Sequence, residues 1–193
     1  MARMEERARR IVATAVELAE QGGFEAVRLR DVASHAGVAL GTLYRRFRSK
    51  EDLLLAALEQ EISDFRERLE RRPVEGATPL ARVTAHFQMT TRWMCRRPNL
   101  ARALIRAVAT GEPEVTQKVA AFHTQMEELV IAALRGVTPS GAGSASQRER
   151  QLALVFQQVW FASLVAWSSG MLGQHAIAEQ MRTTAELLLG AVA

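Results

Sequence analysis

The sequence predicts an all-α fold of about nine helices. Apolar residues recur three and four positions apart, as at Ile11, Ala15, Leu18 and Ala19, which is the spacing of one face of an α-helix. Almost no stretch alternates apolar and polar residues with the period of two that a half-buried strand requires. Only 12 glycines and 5 prolines occur in 193 residues, so most of the chain can form long elements rather than turns.

Turn and capping residues predict where the first four helices begin and end. Gly22-Gly23 ends the first helix and Gly37 ends the second, since glycine is favoured just past a helix end. Ser49 caps the fourth helix, with Asp52 at the capping-box position three residues on. The predicted bounds are Glu5–Gln21, Arg30–Ala36, Leu40–Phe47 and Lys50–Arg71.

Prolines and glycines separate five further helices. Thr78 followed by Pro79 is typical of an N-cap with proline at the first helical position. Residues 136–146 are rich in glycine and serine and predict a loop. The predicted bounds are Pro79–Arg97, Asn99–Ala109, Glu114–Arg135, Gln147–Ser169 and Ala176–Val192.

The composition is that of a soluble globular chain, with 48% hydrophobic and 24% charged residues. The single cysteine, Cys95, excludes an intrachain disulfide framework and a cysteine-based zinc cluster. The charged N-terminus has no apolar run behind it, so no signal peptide is expected. The longest apolar stretch, residues 152–167, is short for a bilayer span. We therefore expect a cytoplasmic protein.

Basic charge is concentrated at the start of the chain. Residues 1–50 hold ten Lys or Arg and six Asp or Glu, so the whole formal net charge of +4 lies there and residues 51–193 are neutral. A localised basic surface is typical of a protein that binds a phosphate backbone. A chance imbalance on a solvated surface is the alternative interpretation.

Residues 29–47 predict a helix-turn-helix. Two short helices meet at Gly37, which supplies the positive φ that reverses the chain. Ala33, four residues earlier, is small enough for the second helix to cross close over the first. The expected inward apolar set is Val32, Ala36, Val38, Leu43 and Phe47.

The outer face of the third helix suits the major groove of DNA. Leu43 and Phe47 share the inner face, so Gly41 and Arg45 point away from it, with Thr42 beside them. Glycine allows close approach, threonine can touch a thymine methyl, and arginine can bind guanine O6 and N7. A solvated arginine face on a plain helical hairpin is the alternative. The candidate DNA contacts are Arg30, Gly41, Thr42, Tyr44, Arg45, Arg46 and Lys50.

Residues 23–54, GFEAVRLRDVASHAGVALGTLYRRFRSKEDLL, resemble the DNA-binding signature of the TetR-type transcriptional repressors in the segments DVA, AGV, GTLY and F-x-SK-x-DLL. The resemblance implies a homodimer, a three-helix DNA-binding domain and a larger helical effector-binding domain. By motif position it implies that Thr42 and Tyr44 face DNA and that Lys50 contacts a phosphate. We expect a helix-turn-helix domain at residues 1–50 and an effector-binding and dimerisation domain at residues 51–193, joined by the long fourth helix.

The sequence departs from the family pattern before two helices. Arg28 and Ala39 stand where the family often has threonine and serine, so two N-cap side chains are missing. The segments GVALGTLYRRFRSK and VWFASLVAW resemble the branch of the family that represses sterol-degradation genes in actinobacteria. That resemblance implies a large apolar effector, such as a steroid acid or its CoA thioester.

The predicted eighth helix is apolar nearly all round, which requires cover on more than one face. Two helices from each subunit would pack as a four-helix interface. A purely intrachain core is the alternative. The candidate interface residues are Phe156, Phe161, Leu164, Met181 and Leu188.

A second set of aromatic and methionine side chains could line an effector cavity, because flexible thioethers adapt to varied ligands. Plain core packing is the alternative. Polar neighbours such as His86 and Gln157 could orient a ligand. The candidate lining is Phe87, Met89, Trp93, Met94, Leu104, Phe122, Met126, Trp160 and Trp167.

An enzyme is not expected, because the chain has no GxSxG, HExxH or P-loop motif and its four histidines form no pair at metal-ligand spacing. No catalytic residue, metal or cofactor is therefore predicted. Three classes remain. The first is a repressor released from a palindromic operator by an apolar small molecule. The second is a regulator of the same fold controlled by a partner protein, and the third is a helical small-molecule binder without DNA function.

Overall fold

The computed structural model describes the backbone of residues 2–190 and the side chains of residues 5–190. Within that part of the chain there are nine α-helices, two short 3-10 turns and no strand, which confirms the all-α prediction. The 3-10 turns are Pro113–Val115 and Ser140–Ala142. Helices α1 to α9 span Ala2–Ala26, Leu29–His35, Leu40–Arg46, Lys50–Arg71, Pro79–Cys95, Pro98–Ala109, Thr116–Arg135, Gln147–Ser168 and Gln174–Leu189.

The helix ends follow the capping residues closely. Gly22 and Gly23 have non-helical backbone angles inside α1, with φ of +67° at Gly23, so the predicted stop is a kink followed by one more turn. The N-cap Thr78 accepts a hydrogen bond from the Ala81 N–H at 3.1 Å. Helix α9 begins two residues before its predicted start, and its predicted end at Val192 lies outside the described residues.

A capping box begins α8 and ties it to α7. The Ser146 hydroxyl accepts from the Glu149 N–H at 3.3 Å, and the Glu149 carboxylate accepts from the Ser146 N–H at 2.8 Å. Arg135, the last residue of α7, donates to the same carboxylate at 2.7 and 2.8 Å. The hydrogen bonds from Arg135 and Ser146 lower the pKa of Glu149 to about 2, because they favour the ionised form.

Packing divides the chain into two compact units. The first contains the chain up to Glu61 together with Arg97–Ala120, and in it α1 packs against α2 and α6 while α2 packs against α3. The second contains Ile62–Arg96 and the chain from Ala121 onward, and in it α9 packs against α5 and α8. Helices α4 and α7 each contribute residues to both units. The functional boundary after residue 50 stays a prediction.

Asp52 joins three elements of the first unit. Its N–H donates to the Ser49 hydroxyl at 3.1 Å, which caps α4. Its carboxylate accepts from the Arg48 N–H at 2.9 Å, just after α3, and forms an ion pair with Lys118 of α7. The Lys118 ammonium also lies 5.7 Å from the centre of the Phe47 ring. One carboxylate therefore holds the end of α3, the start of α4 and the start of α7.

No helix within residues 2–190 is long and apolar enough to cross a membrane.

Candidate DNA-binding surface and buried aromatic core

The turn between α2 and α3 has the predicted geometry. Gly37 has φ of +64°, and a Cβ placed there would meet no atom within 4 Å, so backbone conformation rather than space requires the glycine. The Val38 N–H donates to the Ala33 carbonyl at 3.0 Å, which closes a Schellman motif at the end of α2. Ala33 and Leu43 are buried where the two helices cross. This turn fixes the direction in which α3 leaves α2.

Helix α3 presents its predicted polar face outward. Gly41, Tyr44, Arg45 and Arg46 are exposed and Thr42 is half-buried, whereas the predicted inner residue Leu43 is fully buried. The Arg45 guanidinium donates to the Thr42 hydroxyl at 3.2 Å, so these two side chains act as one polar group. A Cβ at Gly41 would meet nothing within 4 Å of its own chain. The fold does not require glycine at this position.

The same face borders a groove against α1 that sequence reasoning missed. Thr42, Arg45 and Arg46 line it from α3. Helix α1 contributes Glu5, Arg7, Ala8 and Ile11, and the groove has a volume of about 640 Å³. The concentration of basic residues near the N-terminus includes Arg7, so the sequence marks it as part of a basic surface. Helical periodicity alone does not show which face of α1 meets α3, so the sequence does not place Arg7 beside Arg45. Arg7 is an additional candidate for the basic surface.

Lys50 is not a free cation. Its ammonium lies 3.4 Å from the Glu25 carboxylate and 3.9 Å from the centre of the Phe24 ring. Arg106 of α6 binds the other oxygen of Glu25 at 2.8 Å and lies over the same ring at 4.2 Å. The hydrogen bond and charge of Lys50, followed by the charge of Arg106, lower the pKa of Glu25. Glu25 thus neutralises the predicted phosphate contact.

The other residues singled out in the N-terminal region lie at the starts of α2 and α3. Arg30, on α2, is exposed. Arg28 and Ala39 occupy the N-caps of α2 and α3, and neither makes a side-chain cap hydrogen bond. The sequence predicted that both helices lack an N-cap side chain, and the structure agrees.

The candidate effector lining forms a packed aromatic core in the second unit. The Phe87 ring lies 5.7 Å from Phe156 and 6.1 Å from Trp160, centre to centre. The Trp160 indole N–H donates to the Thr91 hydroxyl at 2.9 Å. Met89 is half-buried, and Leu104 belongs to the first unit. The other lining candidates, buried in the second unit, are Phe87, Trp93, Met94, Phe122, Met126, Trp160 and Trp167.

Among the described residues, three side chains of α5 have buried polar atoms without a hydrogen-bond partner, namely Thr84, His86 and Trp93. His86 is fully buried and neither ring nitrogen is bonded. Burial lowers the pKa of His86 to about 4, because it disfavours the charged form, so the ring is neutral at pH 7. The Trp93 indole N–H is also buried and unbonded.

Comparison with known proteins identifies the family. The profile described as "Bacterial regulatory proteins, tetR family" matches residues 11–57, and that described as "Tetracyclin repressor-like, C-terminal domain" matches residues 76–188. The HTH-type transcriptional repressor KstR of Rhodococcus jostii (strain RHA1) is 36% identical over 187 residues, which are 96% of this chain and 84% of that protein. The chain belongs to the TetR family.

Solved structures agree with this membership. A TetR transcriptional regulator from Rhodococcus sp. RHA1 superposes with a TM-score of 0.84 at 26% identity, covering 98% of this chain and 100% of that one. Thermus thermophilus FadR in complex with lauroyl-CoA has a TM-score of 0.75 at 21% identity, covering 96% and 95% of the two chains, which is a likeness of fold. TetR-family regulators bind DNA and act as dimers, and theirs is a family of transcriptional regulators rather than of enzymes.

The residues predicted for the dimer interface differ in how much of each a single chain leaves exposed. Phe156, Leu164 and Met181 are at most 1% exposed within a single chain, where they pack in the core. Phe161 and Leu188 are half-buried. The large apolar side chains that α8 and α9 expose are instead Leu154, Val155, Val165 and Leu187. Sequence reasoning missed them because α8 is apolar on almost every face.

The pairing of Lys50 with Glu25 predicts opposite effects of two substitutions on DNA binding. Lys50→Ala should weaken binding about equally on all sequences and lower the salt slope of log K by about one, since phosphate contacts carry no base information. Glu25→Gln should strengthen binding and steepen the slope, because it removes the carboxylate that competes with phosphate for Lys50. Fluorescence anisotropy on a random-sequence duplex, titrated between about 50 and 200 mM salt, measures both effects.

Glu17→Gln is the matched control, because it removes the same charge from an exposed position of α1. Equal effects of Glu25→Gln and Glu17→Gln would mean that Glu25 does not restrain Lys50. An unchanged slope for Lys50→Ala would remove Lys50 from the phosphate contacts.

Proposed function

We propose that this protein is a dimeric repressor that binds a palindromic operator through α3 and is released by a largely apolar small molecule, such as a steroid acid or an acyl-CoA thioester. The observation that carries the proposal is the outward face of Gly41, Thr42 and Arg45 on a helix-turn-helix of correct geometry. The similarity to the KstR repressor supports repression. Residues 1–50 act as the DNA-binding part, and residues 51–193 bind the effector and the second subunit.

The contacts sort into two kinds. Arg45, held by Thr42, is the base-reading group, because a guanidinium can bind guanine O6 and N7 together. Tyr44 and Lys50 contact phosphates, which position α3 without reading sequence. Arg30 and Arg46 add positive charge at the edge of the same surface. Gly41 lets the backbone of α3 approach the groove closely.

Arg45→Ala should cost about 1–3 kcal/mol on the best site and relax the preference at one base pair per half-site. In vitro selection with wild type and variant measures this preference, and Arg46→Ala on the same helix is the control. A preference that is untouched in Arg45→Ala would make Arg45 a backbone contact or a solvated side chain.

The second copy covers the exposed apolar stripe of α8. Leu154, Val155 and Val165 lie on one exposed face of that helix, and Leu187 adds to it from α9. Exposed apolar stripes on a helix mark interaction surfaces, and the family acts as dimers. Two-fold symmetry then requires half-site centres about one helical turn apart or a multiple of it.

Val155→Asp should convert the dimer into a monomer, since it buries an unpaired charge in the interface. Light scattering after size exclusion measures the mass, and circular dichroism checks that the helices remain. Met171→Asp, at an exposed apolar position outside α8, is the control and should leave the dimer intact. A dimer that survives Val155→Asp would place the interface elsewhere.

The absence of charged side chains among the buried polar residues described in the second unit favours an apolar effector. The buried polar residues of that unit are neutral at pH 7, namely His86, Thr90, Thr91, Gln157 and Ser163. A charged ligand group has no buried counter-ion in this set, so it must stay near the surface. FadR of Thermus thermophilus was solved with lauroyl-CoA, whose apolar chain and anionic head match this requirement.

A groove between α5 and α9 offers a place for such an anionic end. Arg92, His175 and Arg182 line it together with the Glu179 carboxylate, and its volume is about 540 Å³. Glu179 lies 3.7 Å from the His175 ring and Glu186 lies 2.7 Å from Arg182, so an anionic ligand group competes with these two carboxylates. Thr91 lines the same groove and accepts the hydrogen bond from Trp160 of the aromatic core. The polar groove and the apolar core thus share one side chain, and a molecule whose anionic end binds in the groove would place its apolar end beside Thr91 and this core.

The effector acts through α4. A ligand weakens operator binding only if it prefers a conformation in which the two DNA-binding heads are wrongly placed. Helix α4 runs without interruption from Lys50 to Arg71, a length of about 33 Å at 1.5 Å per residue. A small tilt at its C-terminal end moves α3 out of register with the major groove.

Coupling between ligand and operator must be reciprocal. Titration of a bile acid, palmitoyl-CoA and a flat aromatic dye, each with and without the selected operator, should identify at least one compound whose affinity falls when operator is bound. The same compound should weaken operator binding by the same factor. Calorimetry measures the first effect and anisotropy the second.

If no apolar compound binds, the effector half of the proposal fails while the DNA-binding half stands. The ring contacts around Phe87 would then favour a regulator controlled by a partner protein, because they show a core that is already filled by side chains.

A further inference from the structure

The aromatic core contains polar atoms that its own chain does not use. His86 is completely buried and Trp93 is 9% exposed, and within the part of the chain that the structure describes neither the imidazole nitrogens nor the indole N–H has a hydrogen-bond partner. Buried polar groups in native proteins are nearly always paired, since an unpaired one loses its hydration without compensation. Two residues with unpaired buried polar atoms on one helix indicate that these atoms bind a group from outside the chain.

The two side chains lie on the same face of α5. They are seven residues apart, which is nearly two full turns. Phe65 of α4 lies between them, with its ring centre 6.3 Å from that of His86 and 5.1 Å from that of Trp93. Both rings therefore pack against Phe65, on the side of α5 that meets α4.

The chemistry of these groups defines what they can bind. The pKa of His86 lies near 4, so at pH 7 its neutral ring offers one donor and one acceptor. The Trp93 indole only donates. An apolar wall with donors and an acceptor matches a hydroxyl or carbonyl oxygen and does not match a charged group, which would be buried without a counter-ion.

We infer that His86 and Trp93 bind oxygen substituents on the apolar part of the effector, so that this site takes hydroxy- or oxo-substituted hydrocarbon acids in preference to unsubstituted ones. The inference rests on the proposed function and names its ligand class more narrowly. A ligand bound in this way also touches Phe65 and thus contacts α4, the helix that carries Lys50 at its other end.

Matched acids that differ by a single hydroxyl test the assignment. The first pair is lithocholic acid and 5β-cholanic acid, and the second is 12-hydroxystearic acid and stearic acid. On the full-length protein, calorimetry should show the hydroxylated member of at least one pair binding about tenfold more tightly. His86→Leu and Trp93→Phe should each reduce that preference, to within about twofold in the variant of the residue that makes the contact.

Two controls separate recognition from folding. Phe87→Leu changes the shape of the same core without removing a hydrogen-bonding atom, so it should affect both members of a pair alike and keep the preference. Unliganded His86→Leu and Trp93→Phe should unfold at or above the wild-type temperature, since each removes an unpaired buried polar atom.

Each outcome decides the assignment. If both members of each pair bind the wild type equally, or if the preference survives both variants, His86 and Trp93 do not read the ligand and the proposed function is untouched. If no acid of either pair binds, the apolar-acid effector class fails and this inference fails with it. A preference that disappears in one of the two variants and persists in Phe87→Leu supports the assignment.

Discussion

The position of α3, which we propose as the recognition helix, depends on the carboxylate of Asp52. Helix α3 is only seven residues long and lacks a capping side chain at its N-terminus, so it is not a stable unit by itself. Its C-terminal end is held because Asp52 accepts a hydrogen bond from the Arg48 N–H, and the same carboxylate pairs with Lys118 of α7. The Asp52 side chain is only 14% exposed. The contacts of Asp52 therefore fix the end of α3 against both α4 and α7.

This arrangement explains why a short helix can be both exposed and rigid. One face of α3 is anchored by Leu43 and Phe47 in the core, and its ends are anchored by the Gly37 turn and by Asp52. The remaining face makes few contacts inside the chain, as the free space around Gly41 illustrates. Residues there can be selected for DNA, because replacing them costs the fold little.

Sequence patterns predicted the elements whose signals are local. Gly37, the Thr78-Pro79 start and the Ser49 cap lie next to the helix ends that they determine, so α4 was predicted to the residue and most other ends within a few residues. The inward set around Leu43 was also predictable, since α3 has two clearly different faces. Such features can be predicted because the steric and hydrogen-bonding effects that determine them involve residues within about one helical turn of each other.

Features that depend on tertiary packing were not predictable in this way. Helix α8 is apolar on nearly all faces, so periodicity could not separate Phe156, which is core, from Val155, which is exposed. The partners of Lys50 lie 25 and 56 positions away along the chain, at Glu25 and, through it, at Arg106. No pattern within a helix records such a contact. The unpaired nitrogens of His86 likewise become visible only when every neighbour is in place.

Two sets of contacts link the rest of the first unit to the residues that we propose face DNA, and they differ in strength. Arg106 of α6 reaches Lys50 through Glu25, but the side chains of Arg106 and Glu25 are 57% and 69% exposed. Ion pairs this exposed are weak and are screened by physiological salt. Lys118 of α7 reaches α3 through Asp52, which is largely buried and also bonded to the backbone. The contact of Lys118 with Asp52 therefore fixes where α3 lies relative to α7. The contact of Arg106 with Glu25 instead changes the charge around Lys50, and it weakens as salt is raised.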